Sequence, residues 1–258
     1  MASPVRSRST WEHVDPAAGS PDGPVAFGDD LGPRNLLDAY RRGLYPFPAT
    51  SVELRLLNEL SHQSDVECGR IGLQTGSRDP YGVAWCCPDP RPVIRVDRAR
   101  VQRSLRRRLR HVDWTTTVDV CFEEVVAQCD EGRDAHWLSD ELRAGLGRLH
   151  RLGYAQSVEV WDGDELIGGV FGLRVGPVFS ADSQFTRRSG AGNTAVAELT
   201  RRFAAVGGLA VDVQRDSEHV RLLGARPIPR TQYLALLSTP HRPPPLTPGR
   251  SSVRLLTG

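Results

Sequence analysis

The residues best suited to chemistry in this sequence are a carboxylate and an amide in its C-terminal part. Asp212 and Gln214 belong to Val-Asp-Val-Gln, which the apolar residues before it predict to be a buried strand. Alternate side chains of a strand point to one face, so we expect Asp212 and Gln214 to point together. A carboxylate beside an amide can polarise an amine and a carbonyl at once, which predicts a transfer enzyme. The alternative is that Asp212 only caps the strand or pairs with Arg215 or Arg221.

A hairpin is expected to position this pair. Ser157–Leu173 reads as two strands around Asp162-Gly163-Asp164, and Gly168-Gly169 would let another chain segment approach the backbone closely. No metal cluster, Walker loop or Ser/His/Asp elbow is recognisable in the sequence, so we expect no metal and no cofactor.

Composition is typical of an ordinary globular protein. The chain has 258 residues, 39% of them hydrophobic and 25% charged, enough for one average domain and a smaller one. It contains no apolar run of 18 residues and no secretory signal, so we expect no membrane span. Its five cysteines lack Cys-x-x-Cys spacing, which favours reduced thiols and a cytoplasmic location. We expect a monomer.

The positive charge is arginine throughout, and it is concentrated in one segment. Nine arginines lie between Arg91 and Arg110 against one acid, Asp97, although the whole chain carries a net charge of only +2. Asp97 is expected to cap a helix that continues to Arg110 and docks through one narrow stripe. The stripe consists of Val101, Leu105 and Leu109. Such an excess of charge predicts a bound nucleic acid, with a solvated helix face as the alternative.

The remaining pattern predicts an α+β fold. The expected elements are a helix at Asp38–Gly43, strands at Val93–Val96 and Val112–Val118, helices at Cys121–Cys129 and Ser139–Leu152, the hairpin, a strand at Val178–Asp182, a helix at Asn193–Val206, a strand at Leu209–Gln214, a helical turn at Glu218–Leu223 and a helix at Thr231–Leu237. This order is that of a GNAT-like acyltransferase domain, with a mixed, mostly antiparallel sheet and flanking helices.

The domain boundaries follow from the same pattern. We expect a flexible N-terminus at 1–24, a small N-terminal α+β domain at 25–84 with an insertion at 49–82, the GNAT-like catalytic domain at 85–238 and a flexible Pro-rich tail at 239–258.

An ordered set of motifs resembles the leucyl/phenylalanyl-tRNA–protein transferase family. The matching pieces are Gly28–Leu31, Ala39–Pro48, Pro88–Arg91, Ser104–Arg110, Trp137, Leu149–Trp161, the Gly-Gly hairpin, Asp-Val-Gln and Leu223–Arg230. The resemblance implies a small N-terminal domain on a GNAT-like domain that acts on charged tRNA without acetyl-CoA. It implies transfer of Leu or Phe, and Met less well, to proteins that begin with Arg or Lys, in the N-end rule pathway of degradation.

The resemblance also assigns roles to residues. Asp212 and Gln214 would be catalytic. The arginines Arg103, Arg106, Arg107 and Arg110 would contact the tRNA, whose 3′ end would reach the Asp212–Gln214 couple beneath the helix. The terminal adenosine and the aminoacyl end would lie against the aromatic residues Phe47, Trp85 and Trp137, with core packing as the alternative.

Several positions depart from the family pattern. Asp182 stands where the family has Glu and is expected, as a third catalytic residue, to position the acceptor amine or the basic side chain of the acceptor. Gln184 replaces a methionine expected to line the side-chain pocket of the donor. Phe47 replaces a tryptophan, and Cys86 and Cys87 replace Trp and Ser.

Three alternatives stay open at this point. Arg187-x-x-Gly190-x-Gly192 fits the loop by which GNAT acetyltransferases hold a pyrophosphate, so an acetyl-CoA-dependent N-acetyltransferase is one alternative. A tRNA-dependent enzyme with a small-molecule or peptide acceptor is the second. The third is a tRNA-binding protein without catalysis.

Overall fold

Two sheets organise the computed structural model, which describes residues 9–99, 101–131 and 137–257. The first is a four-stranded sheet in the order β2-β4-β1-β3. Its elements along the chain are β1 (Pro24–Gly28), α1 (Pro33–Arg41), β2 (Tyr45–Pro48), α2 (Val52–Glu67), β3 (Gly72–Leu73) and β4 (Val83–Cys86).

The second sheet has eight strands in the order β11-β5-β10-β9-β8-β7-β6-β12. Its elements are β5 (Arg91–Arg95), α3 (Arg103–Leu109), β6 (Thr115–Val118), α4 (Phe122–Asp130), α5 (Asp140–Arg151), β7 (Ala155–Asp162), β8 (Glu165–Val175), β9 (Val178–Thr186), α6 (Ala191–Ala205), β10 (Ala210–Asp212), α7 (Glu218–Leu222), β11 (Arg226–Ile228), α8 (Arg230–Leu237) and β12 (Ser251–Ser252).

Most neighbouring strands of the large sheet are antiparallel, and β9 and β10 are parallel. The prediction of a mixed α+β fold with a mostly antiparallel sheet is confirmed. The two faces of this sheet carry different cores. One face packs against α4, α5, α8 and the small sheet, and the other against α3 and α6.

The predicted hairpin is formed by β7 and β8, with Gly163 at a φ of 60° in its turn. A Cβ on Gly168 would lie 2.6 Å from that of Ala191, and a Cβ on Gly169 would lie 2.8 Å from the ring of Phe185. Both contacts are too short for any larger residue. The predicted close approach to the Gly-Gly pair is therefore confirmed, and the first residue of α6 is what approaches Gly168.

Four sequence expectations differ from the structure. Asp97 lies in a short 3-10 helix, and α3 begins only at Arg103 after the N-cap Gln102, so there is no continuous helix from 97 to 110 among the described residues. The expected insertion at 49–82 contains the helix α2. The other three differences concern the two chain ends and one domain boundary.

Both chain ends pack onto the fold where they are described. Trp11 and Val14 are buried in the core beside the small sheet, so residues 9–24 pack on the fold and do not form a flexible N-terminus. Residues 1–8 lie outside the described part. The tail expected to be flexible adds β12 to the edge of the large sheet and buries Leu246 and Val253. The small sheet also includes β4 up to Cys86, two residues past the expected boundary.

Candidate active site

The polar cluster between the two sheets is centred on Asp212, the last residue of β10. Its side chain is completely buried, and Arg91 on β5 donates Nε to Oδ1 and Nη2 to Oδ2, each at 2.8 Å. The guanidinium of Arg91 lies between two rings, with Cζ 4.8 Å from the centroid of Tyr45 and 4.6 Å from that of Tyr233. A carboxylate this deeply buried requires such a partner, so Arg91 and Asp212 form a fixed ion pair.

Three further donors complete the surroundings of Asp212. The hydroxyls of Tyr233 and Ser180 donate to Oδ2 at 2.9 and 3.1 Å, and the backbone N–H of Gln214 donates to Oδ1 at 2.9 Å. Asp212 therefore accepts five hydrogen bonds from the protein. The structure places it behind the wall of the pocket described below, contrary to the expectation that it meets the substrate directly.

Gln214 and Asp212 do not share a strand face. The strand ends at Asp212, and Gln214 has a φ of 62°, in the left-handed region that side chains other than glycine rarely adopt. This turn directs Nε2 of Gln214 to Oδ1 of Asp182 at 2.7 Å. Gln214 is thus linked to Asp212 through its backbone N–H, whereas its side-chain amide contacts the carboxylate of Asp182.

Asp182 lies at a bulge in β9. Ala181 and Ser183 pair with consecutive residues of β8, so Asp182 is the extra residue between them. A bulge re-aims a side chain, and here it presents the carboxylate to helix α1, where the hydroxyl of Tyr40 donates to Oδ2 at 2.7 Å. Asp182 is thus held by a phenol on one oxygen and an amide on the other.

The protonation of Asp182 is set mainly by its surroundings. Burial is the largest cause that raises its pKa, to about 8. The hydrogen bond from Tyr40 opposes this shift, and the negative charge of Asp212 adds to it. A carboxyl with this pKa takes up and releases a proton near neutral pH, as a general base must.

A pocket of about 310 Å³ opens over Asp182 and Gln214. Its lining consists of Tyr45, Pro46, Phe47, Trp137, Asp182, Val213, Gln214 and Arg215. Phe47 is 44% exposed, and the ring of Trp137 stacks on that of Phe171 with centroids 6.5 Å apart and planes at 8°. The structure thus brings together Phe47, Trp137, Asp182 and Gln214, in a cavity with aromatic walls and a polar floor.

Two residues expected at the substrate lie elsewhere. Trp85 is completely buried and packs edge to face on Trp11, with centroids 4.8 Å apart, so it has no surface to offer a nucleoside. Gln184 is not part of the pocket lining, and its Nε2 lies 2.6 Å from Nε2 of the exposed His219. The expectations that Trp85 stacks on the adenosine and that Gln184 contacts the donor side chain therefore do not fit this pocket.

The residues that sequence reasoning missed are Arg91, Tyr40, Tyr45 and Tyr233. Arg91 belongs to a matched Pro-Asp-Pro-Arg motif but was grouped with the arginines that follow it. What could have separated Arg91 from them is its place before an apolar strand, because a charge on a buried strand needs a partner. Asp212 is the matching buried charge.

Helix α3 lies on the other face of the large sheet from the pocket. Leu105 and Leu109 pack in the core beneath α6, as expected, and the arginines around them are exposed or half-buried. Within the described residues, the carboxylates form no ion pair with the four arginines predicted to contact tRNA. These are Arg103, Arg106, Arg107 and Arg110. The 3′ end of an RNA on α3 would therefore not lie directly above the Asp212–Gln214 couple.

The connection from β9 to α6 lies between α3 and the pocket edge. Gly190 has a φ of 88° and caps the first turn of α6, while Arg108 of α3 donates to the carbonyl of Ser189. Arg187 donates to Gln128 at 3.0 Å, and Arg188 pairs with two acids of the β7–β8 turn. Both arginines of the Arg187-x-x-Gly190-x-Gly192 loop are thus engaged by the protein itself.

A larger cavity, about 560 Å³, lies between α3 and α6. Its lining is mainly apolar and contains no carboxylate, so it lacks the chemistry of the pocket at Asp182. Among the described residues, no group of His, Cys, Asp and Glu has the arrangement of a metal site. None of the described helices is both long and apolar enough to span a membrane.

Comparison with known proteins places the chain in a family. The family model for leucyl/phenylalanyl-tRNA protein transferase matches residues 93–238. The leucyl/phenylalanyl-tRNA–protein transferase of Thiobacillus denitrificans is 34% identical over 254 residues, 96% of this chain and 99% of that protein. Its namesake from Xanthomonas campestris pv. campestris strain B100 is 32% identical over 235 residues, 90% of this chain and 83% of that protein.

Solved structures add little to this result. L-PGS from Bacillus licheniformis is 15% identical, with a TM-score of 0.38 over 52% of this chain and 49% of that one, which is too distant to bear on fold or function. The sequence matches, in contrast, extend over nearly the whole chain. They show that it belongs to the leucyl/phenylalanyl-tRNA protein transferase family.

Proposed function

We propose that this protein is an aminoacyltransferase that moves an aminoacyl group from tRNA to the α-amine of a protein. The observation that carries the proposal is the pocket in which Asp182 and Gln214 form a polar floor beneath Phe47 and Trp137. Such a site offers a proton acceptor and an amide to the reacting groups, and apolar walls to a base and an aminoacyl side chain. The names of the relatives describe the same reaction.

The reaction is aminolysis of an ester. The amine nitrogen attacks the ester carbonyl carbon, the bond from that carbon to the ribose oxygen breaks, and the nitrogen loses a proton while the ribose oxygen gains one. An α-amine has a pKa of about 7.7–8.0, close to the value of about 8 at Asp182. Near and above pH 8 a neutral amine and an ionised Asp182 are therefore present together, so Asp182 is the base that we assign to take the proton from the attacking nitrogen.

Gln214 and Asp212 act on either side of this base. Nε2 of Gln214 orients Asp182 in the free protein, and the amide can turn its polar atoms to the ester when the amine takes its place. Asp212 does not touch the substrate in this scheme. It positions Gln214 by accepting the backbone N–H that fixes the left-handed turn.

The aromatic walls are assigned to the end of the tRNA. Stacking of a base on an aromatic ring contributes about 1–3 kcal/mol and tolerates any base, which suits the common terminal adenosine. Phe47 is at the rim and Trp137 is braced by Phe171, so the two can hold a base at the mouth of the pocket. The aminoacyl side chain would then lie against Tyr45 and Val213.

The body of the tRNA is assigned to α3. Its arginines have no carboxylate partner among the described residues, and phosphates would supply one without sequence preference. Because α3 and the pocket are on opposite faces of the sheet, the acceptor stem would pass the β9–α6 connection. We expect the triple change Arg103→Glu, Arg106→Glu and Arg110→Glu to weaken tRNA binding steeply and to flatten its salt dependence. Unchanged binding with the same salt slope would refute this assignment.

The finer proposals follow the family. The donors are Leu and Phe, with Met less favoured, the acceptors begin with Arg or Lys, and the products enter the N-end rule pathway of degradation. We also propose that the large-sheet domain is GNAT-like and that the protein acts as a cytoplasmic monomer.

One assay tests the proposed function. Labelled Leu-, Phe- and Met-tRNA are each mixed with the protein and with peptides that differ only in their first residue. Transfer of label from Leu- and Phe-tRNA to the Arg- and Lys-initiated peptides is the expected result. Absence of transfer from every charged tRNA to every peptide would refute the proposal.

A further inference from the structure

Helix α2 turns its apolar side to solvent. Val52, Leu56, Leu57 and Leu60 are exposed by 51% to 81%, and none of the 16 residues of the helix is buried. Three of the four recur at i, i+4 and i+8, which is the spacing that places residues on one face of a helix. These four side chains form a continuous strip that we call the α2 face.

The opposite side of α2 attaches it to the protein through polar contacts. Nδ2 of Asn58 donates to the carbonyl of Tyr81 at 3.1 Å, Arg55 pairs with Asp79 at 3.1 Å, and the ring of His62 lies 5.5 Å from that of Phe27. The polar side thus faces the fold and the leucines face outward. A helix normally has the reverse arrangement, and a clustered apolar surface marks a binding site.

The charge of the helix limits what can bind there. Its charged residues are four acids and one arginine, Arg55, which is already paired. The acids are Glu53, Glu59, Asp65 and Glu67, of which Asp65 is paired with Arg70 just beyond the helix. A negative, apolar surface repels a polyanion, so the tRNA is not the occupant, and it attracts a polypeptide with apolar and basic residues.

The position of α2 connects it to the pocket. The helix begins at Val52, five residues after Phe47 at the pocket rim, so the two Cα atoms are at most ~18 Å apart. A chain whose N-terminus lies in the pocket spans that distance with about five or six extended residues. The α2 face is therefore within reach of the part of an acceptor that follows its first residues.

We propose that the α2 face binds the acceptor polypeptide downstream of its N-terminal residue, through an apolar segment flanked by basic side chains. The inference rests on the proposed function and adds a second contact for the acceptor. A second copy of this chain is a poorer occupant, because a stable interface takes about 20–30 residues on each side and the α2 face offers four large side chains.

The test compares two acceptors that share their first three residues. One is a tripeptide that begins with Arg and cannot reach α2, and the other is a 15-residue peptide with leucines and arginines from position six onward. The variant is the triple change Leu56→Gln, Leu57→Gln and Leu60→Gln. We expect kcat/KM for the long acceptor to fall about tenfold or more, through KM, and kcat/KM for the tripeptide to stay within about twofold.

A matched control uses three exposed apolar residues that lie outside α2. Val120→Gln, Leu152→Gln and Leu255→Gln remove side chains of similar size and exposure, and we expect no effect on either acceptor. A loss on the long acceptor that the control variant reproduces would overturn the proposal. An equal loss on both acceptors, or no loss on either, would do the same.

Two further measurements distinguish a bound acceptor polypeptide from a second copy of the chain on the α2 face. Glu53→Gln with Glu59→Gln is expected to weaken the long acceptor again, because its arginines lose their carboxylates. The molar mass in solution should be the same for the unmodified protein and the leucine variant, and a drop in mass would show that the α2 face joins two copies instead. If the unmodified protein transferred to neither acceptor, the proposed function would fail, and this inference with it.

Discussion

Asp212 and Asp182 lie on neighbouring parallel strands and have opposite environments. Asp212 is completely buried and accepts five hydrogen bonds, two of them from Arg91. Asp182 has no cationic partner in contact among the residues that the structure describes, and it is held by Tyr40 and Gln214 at the floor of an open pocket. Asp212 is held in a buried ion pair with Arg91, and burial raises the pKa of Asp182 to about 8.

The two environments suit different roles: structural support of the site for Asp212 and proton transfer for Asp182. A buried ion pair whose carboxylate accepts five hydrogen bonds fixes its neighbours, because moving any member leaves a charge unpaired. A carboxyl whose pKa lies near neutrality is the member that can exchange a proton with an amine. We therefore infer that the Asp212 cluster supports the site and that Asp182 does the proton transfer.

The largest effect is expected from breaking the buried pair. Arg91→Met leaves Asp212 as an unpaired buried charge, which costs about 3–5 kcal/mol of folding free energy. Transfer should be lost together with stability, because the turn at Gln214 depends on Asp212. Urea unfolding and transfer assays on the same preparation measure both.

The matched control removes both charges. Arg91→Met with Asp212→Leu leaves no unpaired ion, so much of the lost stability should return while transfer stays low. Arg91→Lys keeps the charge but not the two-point contact, and we expect it to lie between the other two variants. Equal stability of Arg91→Met and the unmodified protein would contradict the role given to the pair.

The next largest effect is a selective loss of transfer, which is expected from Asp182→Asn. The amide keeps the shape and can still accept from Tyr40, but it cannot take a proton from the amine. General base catalysis contributes about 10²–10⁴-fold, and kcat should fall within that range. Binding of aminoacyl-tRNA serves as the control and should not change. Full kcat in Asp182→Asn would show that another residue acts as the base.

The sequence was informative where local pattern decides structure. The hairpin around Gly163, the helix that begins after Ser139, and the docking of α3 through Leu105 and Leu109 were all predictable from spacing and residue type. These features depend on residues within a few positions of one another. The same is true of the candidate Asp182, which came from comparison of a short motif with the family.

The pairing within the site was not predictable in the same way. The Arg91–Asp212 contact joins residues 121 positions apart, and it depends on β5 lying beside β10. The exchange of partners at Gln214 depends on a positive φ and on a bulge at Asp182, neither of which has a glycine to mark it. Simple alternation along Val211–Gln214 therefore assigned the amide to the wrong carboxylate.

The pH dependence of transfer sharpens the contrast between the two carboxylates. If Asp182 must be ionised and the acceptor amine neutral, log(kcat/KM) should rise with a slope approaching two below about pH 8. Asp182→Asn should retain only the slope of one that the amine contributes. A slope of one in both proteins would show that the ionisation of Asp182 does not control the rate of transfer.

Stability should change in the opposite direction over the same range. The pKa of Asp182 is raised by folding, from about 3.9 in an unfolded chain to about 8, so the folded state favours the protonated form. Its contribution is fully present below about pH 4 and is lost as the pH rises to about 8. Asp182→Asn should flatten this part of the stability curve, as measured by urea unfolding at each pH.

The smallest effect is expected at the rim of the pocket, where Phe47 is proposed to stack on the terminal base of the tRNA and carries no charge. Phe47→Ala removes one stacking surface, and the loss of about 1–3 kcal/mol expected for a fully stacked base sets an upper limit for this half-exposed ring. We expect KM for aminoacyl-tRNA to rise about tenfold with little change in kcat, and Phe47→Trp to lower KM a few-fold because its ring is larger. Leu73→Ala, an exposed apolar residue on β3, is the control. If Phe47→Ala lowered kcat instead, the ring would be shaping the floor of the pocket rather than binding the nucleoside.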